Sequence, residues 1–449
     1  MMLTIPQALE RLDSALAAAK AAGADSADAM YVGDGSTSVS VRLGKLEDIG
    51  RSEGEEVGIR VFIGHQSASV SSSDLSPQAL GIAAERAVAM ARLAPEDRWA
   101  GLAAEQLLLR TPLVDLDIDD GNDPSAEALR DMAMAAEDAA RAIPGVTNSE
   151  GGGASAGRAV TALATSTGFR GGKRSTSYGS SASVLAGEGG DMQRDYAWHS
   201  ARHFADLEDA ATIGSRAGER AVRRLRPIKL ETAALPIIFD PRIASSLVGH
   251  LVGAITGSAI TRGTSFLKDA LGTQVFGAGI TIIDDPLRPR GLRSRSFDGE
   301  GLPVARTALI ENGVLTGWLL DAASARQLGL QPTGHAARGT SGPPGAGASN
   351  LHLEAGADSP QALMAGIKRG FYVTELIGMG VNGLTGDYSR GASGFLIEDG
   401  TITVPVAEVT IAGNLAAMFK ALVPANDLHF RHATNVPTLR IDGMTVAGA

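Results

Sequence analysis

The sequence predicts an α+β fold in two domains. The first is an N-terminal mixed sheet with helices (residues 1–228), and the second is a C-terminal strand-rich, barrel-like antiparallel domain with helices (residues 229–449). A length of 449 residues is typical of two or three domains. A composition of 44% hydrophobic and 20% charged residues is sufficient for large cores. Helix and strand patterns also follow each other without the regular βαβ alternation of a doubly wound sheet.

Capping and spacing signals predict six helices. Four begin where a small polar residue precedes proline, because the polar side chain accepts hydrogen bonds from free N–H groups and proline fits the first helical position. These starts are Ser76-Pro77, Asp123-Pro124, Asp240-Pro241 and Ser359-Pro360. Runs rich in alanine and leucine place the other two helices at about Pro6–Ala21 and Leu207–Leu225.

Strands are predicted where apolar residues alternate with polar residues or glycine. In the first half they fall at 39–43, at 57–63 and in a meander of three or more strands over 159–203. In the second half they form a single further sheet from segments 234–239, 279–283, 305–310, 314–319, 394–397 and 401–404. Two of its turns, Asn312-Gly313 and Asp399-Gly400, have the sequence of tight hairpins. The domain boundary is placed at Pro227–Leu230, after the helix that is rich in arginine.

Charge and composition argue against several classes of protein. Forty basic against fifty acidic residues give a formal charge of −10, which disfavours nucleic-acid binding because phosphate contacts supply most of its affinity. The chain has no cysteine, and therefore no disulfide, thiolate ligand or cysteine nucleophile. It also has no apolar run of the ~20 residues that cross a bilayer, and no signal-peptide pattern. We expect a cytoplasmic protein with no nucleic-acid or membrane partner.

The histidines do not form a complete metal motif. His199 and His203 have the i, i+4 spacing of a zinc helix, but Ser200 occupies the position of the general base. The surrounding string is also typical of a strand, which would separate the two imidazoles by ~13 Å. His250 lies alone on a helix of small residues, where a packing histidine is the expected interpretation. We therefore predict no catalytic residue and no metal ligand in this chain.

Several strings together resemble the TldD/PmbA family, and they cover essentially the whole chain. They are VSVRLGKLEDIGRSEGEEVGIRVFIGHQSASVSSSDLSPQAL (39–80), MQRDYAWHSARHFADL (192–207), TRGTSFL (261–267), ALIENGVLTGWLLD (308–321), ARQLGLQPTGHAAR (325–338), GLTGDYSRGASGFLIEDG (383–400) and VTIAGNLAAMFKAL (409–422). The wording GDYSRGASGF is similar to the PmbA (TldE) branch.

The resemblance also locates the metal site that the family carries in its TldD-type members. There an HExxxH helix precedes a string like R-x-G-T-S, and a later cysteine completes the zinc site. Counted back from Gly263-Thr264-Ser265, the three helix positions fall on Val248, Gly249 and Gly253. None of these residues has a metal-binding or basic side chain. The second domain is thus expected to carry a degenerate metal helix.

Membership would imply a subunit that pairs with a TldD-type zinc subunit as a heterodimer. Such pairs cleave small or unfolded peptides, so this chain would have no cofactor of its own and would be inactive alone. Two alternatives remain open. One is a metal-independent, peptide-binding or chaperone-like homodimer, and the other is an independent hydrolase with an unrecognised site.

The segment GLTGDYSR (383–390) is the candidate for contact with peptide or partner. It places polar side chains between glycines, and its sequence differs between the two branches of the family. The candidate residues are Thr385, Asp387, Tyr388, Ser389 and Arg390. The competing interpretation is a structural turn, locked by an ion pair between Asp387 and Arg390.

Overall fold

The computed structural model describes residues 2–448, which form nine α-helices and nineteen strands. The α+β class is confirmed. The helices are α1 (Ile5–Ala21), α2 (Pro77–Ala91), α3 (Ala126–Arg141), α4 (Ala210–Arg223), α5 (Pro241–Ala254), α6 (Gly257–Thr261), α7 (Ala322–Leu328), α8 (Pro360–Met364) and α9 (Leu415–Ala421). Within residues 2–448, no helix combines the length and the apolar character that crossing a membrane requires.

Three of the four helix starts at proline are confirmed. The side chains of Ser76, Asp240 and Ser359 each accept a hydrogen bond from the first turn of their helix. The start at Asp123-Pro124 is wrong by two residues. Ser125 caps α3 instead, because its hydroxyl accepts from the backbone N–H of Ala128.

The first six strands form one sheet in the order β3-β2-β1-β4-β5-β6. They are β1 (Ser26–Arg42), β2 (Lys45–Ile63), β3 (Gln66–Ser72), β4 (Val146–Thr165), β5 (Arg170–Ala186) and β6 (Gln193–Ala201). The predicted meander over 159–203 is confirmed as β4, β5 and β6. The sheet is not mixed as predicted, since every neighbouring pair is antiparallel. The strands come as two meanders of three, and short turns join antiparallel neighbours.

Helices α1 to α4 cover one face of this sheet, and small residues let them approach closely. In β5 every second residue from Thr176 to Ala186 is buried. Between α3 and α4, a Cβ added at Gly214 would lie 1.9 Å from the carbonyl oxygen of Ala136. Glycine is therefore required there by contact between the two helix backbones.

The remaining strands form a closed barrel, a smaller sheet and a short hairpin. They are β7 (Ala233–Phe239), β8 (Ile282–Asp284), β9 (Thr307–Glu311), β10 (Val314–Leu315), β11 (Ala336–Ala337), β12 (Gly345–Ala346), β13 (Leu351–Leu353), β14 (Arg369–Ile377), β15 (Asp387–Glu398), β16 (Thr401–Asn414), β17 (Val423–Pro424), β18 (Thr434–Asn435) and β19 (Leu439–Ala447). The barrel follows the order β16-β15-β14-β7-β19 and closes by pairing of β16 with β19. One of its pairs, β14 with β7, is parallel.

The barrel-like second half is confirmed, but the single second sheet predicted there is divided. Segments 279–283, 305–310 and 314–319 contribute to the separate sheet β10-β9-β8-β13-β18. Both predicted hairpin turns are present, with positive φ at Asn312 and Gly313 (47° and 82°) and at Asp399 and Gly400 (46° and 78°). These φ values are those of the turn that matches strand twist.

The strands of the first sheet all lie before residue 228, and the strands of the barrel and of the smaller sheet all lie after it. Buried ion pairs join the two halves. Asp195 on β6 accepts hydrogen bonds from Arg242 of α5 at 2.7 and 3.1 Å, and it also contacts Arg224. Asp28 on β1 pairs with Arg60 of β2 and with Arg338, which follows β11. Independent folding of 1–228 and 229–449 stays a prediction.

Candidate functional site

Helix α5 places the three metal-motif positions in two different environments. Val248 is 2% exposed and packs in the main apolar core of the second half. Gly249 and Gly253 lie on the exposed side, one turn apart. A Cβ added at either glycine would meet no heavy atom within 4 Å. The outer face of α5 is therefore bare, with open space above two positions that carry no side chain.

These residues do not fit a zinc ion. A protein zinc site uses Cys, His, Asp or Glu side chains, and a catalytic site uses three of them. Val248, Gly249 and Gly253 supply none. Across residues 2–448 no group of three or more such side chains has a geometry suited to a metal.

Strand β15 sends the residues of the predicted segment to two faces. Tyr388 is 1% exposed and packs in the apolar core, and Arg390, two residues further on, lies on the same face. Asp387 and Ser389 are exposed on the opposite face. The structure therefore brings Tyr388 and Arg390 together and separates them from the rest of the predicted set.

The ion pair considered for this segment, Asp387 with Arg390, is absent from the contacts among residues 2–448. Asp387 instead accepts hydrogen bonds from the hydroxyl of Thr385 (2.7 Å) and from the Nδ2 of Asn414 (3.1 Å). These bonds hold the pKa of Asp387 below its ordinary value. Strand alternation explains the difference, because residues three apart in a strand point to opposite faces.

His250 completes a polar cluster with Tyr388 and Arg390. The rings of His250 and Tyr388 meet edge to face, with their centroids 5.9 Å apart. Three buried atoms of the cluster have no hydrogen-bond partner among the described residues: His250 Nε2, Tyr388 Oη and Arg390 Nε. The charge of Arg390 acts on both of the other residues. Buried polar groups are nearly always paired, so three unpaired neighbouring groups are unusual. We call these three residues the His-Tyr-Arg cluster.

The protonation states of the cluster follow from its burial. Burial raises the pKa of Tyr388 to about 12, although the charge of Arg390 opposes the shift. Burial, and secondly the charge of Arg390, lower the pKa of His250. At neutral pH the cluster thus contains a protonated phenol, a neutral imidazole and one guanidinium cation. Each of these groups can donate a hydrogen bond.

The connection between β14 and β15 pairs with Tyr388 through Val381 and carries exposed apolar side chains. Met379 and Leu384 are 89% and 57% exposed. Backbone hydrogen bonds fix this connection, from Ser389 N to Gly380 O at 2.7 Å and from Phe266 N to Gly383 O at 2.9 Å. Large apolar side chains that are held in solvent beside a polar cluster are typical of a binding surface.

The paired histidines at 199 and 203 are separate structural groups. His199 lies on β6, and its Nδ1 accepts from the backbone N–H of Glu208 at 3.0 Å. His203 lies beyond the strand, with its Nε2 2.9 Å from the carbonyl oxygen of Asp117. The interpretation of this string as a strand is confirmed for Gln193–Ala201 but not for His203.

The sequence did not identify His250 as part of a candidate site. A histidine among small helical residues is usually a packing residue, yet its Nε2 has no partner here. Its neighbours Tyr388 and Arg390 come from a strand more than a hundred residues later. The only available signal was the period-two spacing of Tyr388 and Arg390, and this spacing does not identify the helix that they face.

Family models match three parts of the chain. Models of the PmbA/TldA metallopeptidase match residues 27–91 (domain 1), 119–225 (central domain) and 232–448 (C-terminal domain).

Full-length relatives and solved structures agree with these models. The chain is 38% identical to the metalloprotease PmbA of Escherichia coli O157:H7, covering 96% of this chain and 94% of that protein. It is 34% identical to a PmbA homolog of Haemophilus influenzae, covering 92% and 90%. A crystal structure from Bacteroides thetaiotaomicron, described as a candidate modulator of DNA gyrase, superposes with a TM-score of 0.92 at 26% identity over 100% of both chains. TldE from Thermococcus kodakarensis has the same fold, with a TM-score of 0.87 at 21% identity, covering 98% and 100%.

Proposed function

The chain belongs to the PmbA/TldA metallopeptidase family, and from this premise we propose that it is a PmbA/TldE-type subunit without a metal site of its own. A TldD-type subunit would be its partner in a cytoplasmic heterodimer that cleaves small or unfolded peptides. The partner would hold the zinc ion, which polarises the carbonyl of a scissile peptide when it is bound.

One observation carries this proposal, namely the side chains at the three motif positions of α5. The apolar Val248 and the bare Gly249 and Gly253 provide neither a ligand nor a base. A subunit that lacks these groups would need a second protein for the chemical step. The family connection makes a TldD-type subunit the natural candidate.

The two faces of β15 suit two different contacts. Tyr388 and Arg390 would face the peptide, because their donors are unpaired and lie beside the bare face of α5. Thr385, Asp387 and Ser389 are exposed on the other side and would face the partner subunit. This chain would then bind and position the peptide, while the partner would cleave it.

Purification of the native chain from its own cells tests the pairing. We expect it to elute with a zinc-containing HExxxH subunit, and to hydrolyse unfolded peptides only in the mixture. Recombinant chain alone should contain no stoichiometric zinc by elemental analysis. About one zinc per isolated chain would contradict the proposal.

The same experiment distinguishes the proposed heterodimer from the alternative, a metal-independent, peptide-binding or chaperone-like homodimer. In that case the native chain would elute at twice its own mass with no second subunit. It would also suppress aggregation of an unfolded protein without cleaving it. A matched assay of the chain alone, the TldD-type subunit alone and both together assigns the activity to one of the three.

A further inference from the structure

We propose that the His-Tyr-Arg cluster is a binding site for a peptide carboxylate. The inference rests on the proposed function and adds the chemical group by which this chain recognises its substrate. It assigns Arg390 as the counter-ion of that carboxylate, and Tyr388 and His250 as the neighbouring hydrogen-bond donors.

The first argument is the absence of a counter-ion for Arg390. Other partly buried arginines have acceptors within the protein. Arg242 pairs with Asp195 and Arg60 with Asp28, whereas Arg326 donates to three backbone carbonyl oxygens. Within residues 2–448, no carboxylate lies within ion-pair distance of Arg390, and its Nε is buried without a partner. A buried charged donor without a partner destabilises the fold by a few kcal/mol. An anionic ligand would remove this penalty.

The second argument is the chemistry of the three groups, all of which can act as donors. A carboxylate has two oxygens with about four acceptor sites, and its hydrogen bonds to a guanidinium are among the strongest in proteins. A metal cation would be repelled by Arg390. A ligand with only donor groups would leave the phenol and guanidinium unsatisfied. The cluster thus selects an acceptor that carries negative charge.

The third argument is access along α5. Gly249 and Gly253 leave open space one turn apart on the helix that carries His250. On the other side, the exposed Met379 and Leu384 provide an apolar surface for the side chains that precede the carboxylate. A short peptide would therefore lie between α5 and the connection of β14 to β15, with its carboxylate at Arg390.

Binding of one apolar pentapeptide to the isolated full chain tests the site. Three forms of the peptide are compared by calorimetry: a free C-terminus, a C-terminal amide, and the amide with one internal Asp. We expect the free acid to bind at least about 10-fold more tightly than the amide, since a charge-assisted pair contributes ~1.5–3 kcal/mol. Recovery of binding by the Asp-containing amide would identify a side-chain carboxylate as the recognised group. Equal affinity for all three forms would overturn the inference.

Variants connect this discrimination to the cluster. Arg390→Gln should abolish the preference for the acid, and Tyr388→Phe should weaken acid binding several-fold while the buried ring is kept. Gly249→Leu should weaken every form by filling the open space. The control is Arg369→Gln, which removes an exposed arginine at the start of β14 and should change nothing. If Arg390→Gln lowers the melting temperature, Tyr388→Phe and Gly249→Leu provide the test instead. If both of these variants bind the free acid as tightly as the native chain does and still prefer it to the amide, the inference is overturned.

The outcomes also distinguish this inference from the proposed function. Acid-selective binding is measured without a second subunit, so it can succeed even if no TldD-type partner is found. Conversely, an active pair whose isolated PmbA-type subunit binds acid and amide equally would refute only the carboxylate site.

Discussion

At the scale of single residues, the glycines of α5 and one glycine of α4 have opposite roles. Gly249 and Gly253 of α5 have open space where a Cβ would lie, whereas Gly214 of α4 has a carbonyl oxygen 1.9 Å from that point. Glycine destabilises the interior of a helix by about 0.5–1 kcal/mol relative to alanine. The glycines of α5 are therefore not required by packing, whereas Gly214 is.

We accordingly predict that Gly249→Ala and Gly253→Ala each raise the free energy of unfolding by about 0.5–1 kcal/mol. Gly214→Ala should lower it, because α3 and α4 must move apart. Urea unfolding followed by circular dichroism measures all three variants. A stabilised Gly214→Ala, or destabilised variants at α5, would show that the helix packing described above is wrong.

Glu300 makes stability depend on pH at neutral values. It is 5% exposed, and burial, together with the neighbouring Asp298, raises its pKa to about 7. Because the folded chain then binds a proton that the unfolded chain releases near pH 4.5, this group lowers stability as pH rises from about 4.5 to 7. Above pH 7 the penalty is complete.

Glu300→Gln should therefore stabilise the protein above pH 7, by on the order of 3 kcal/mol, and have little effect near pH 4.5. The amide oxygen can still accept from the backbone N–H of Ala322, which is 2.7 Å from the carboxylate in the native chain. Melting temperatures at pH 5 and pH 8 provide the comparison. The exposed Glu96→Gln is the control, and a stabilisation of equal size at both pH values would argue against a raised pKa.

At the scale of elements, α5 differs from a zinc-binding helix in its surroundings as well as in its side chains. Installing Val248→His, Gly249→Glu and Gly253→His together should not create a zinc peptidase. The new imidazole at 248 would point into the apolar core, and no third ligand or orienting second shell is present among residues 2–448. Elemental analysis and peptide turnover of the purified variant are the measurements. Zinc-dependent cleavage without a partner would refute this prediction.

The strands show where sequence patterns are sufficient and where they are not. The apolar alternation around Val57–Ile63 predicts the end of β2 correctly. The first part of β4, by contrast, has glycine and serine on its open face, as at Gly153 and Ser155. Its sequence therefore shows no alternation of apolar and polar residues. Strands β14 and β19 were not predicted at all, although both belong to the barrel. Their position depends on distant partners, which a local pattern does not record.

At the scale of the whole molecule, buried charges connect the two halves. Burial alone would raise the pKa of Asp195, but hydrogen bonds and charges from Arg242 and Arg224 keep it below its ordinary value. The stability that results is present above pH ~3.8 and is lost as pH falls further. The sequence predicted the arginine-rich helix that ends beside Arg224, but it did not reveal the partners of Arg224, since Asp195 and Glu375 lie on other elements.

Asp195→Ala should lower the free energy of unfolding by about 3–5 kcal/mol, because it leaves the buried Arg242 without its counter-ion at the boundary between the halves, while Arg224 keeps only Glu375. Thermal unfolding followed by calorimetry should show a lower transition, or two transitions in place of one. The exposed pair of Lys229 with Glu408, disrupted in Glu408→Gln, is the control and should leave the transition unchanged. A negligible effect of Asp195→Ala would mean that this contact does not couple the halves.

The closure of the barrel has a consequence for the time at which each half can fold during protein synthesis. The first sheet is complete once residue 201 has been made, but β7 pairs with β19, and Phe239 lies two hundred residues before its partner Leu439. At roughly 5–20 residues per second, that interval takes on the order of 10–40 s. Throughout it β7 lacks β19, and until β14 has been made it lacks both neighbours, so an unpaired strand edge is exposed. We therefore expect translation to be the period in which this chain most needs a chaperone, and slower ribosomes to increase its aggregation.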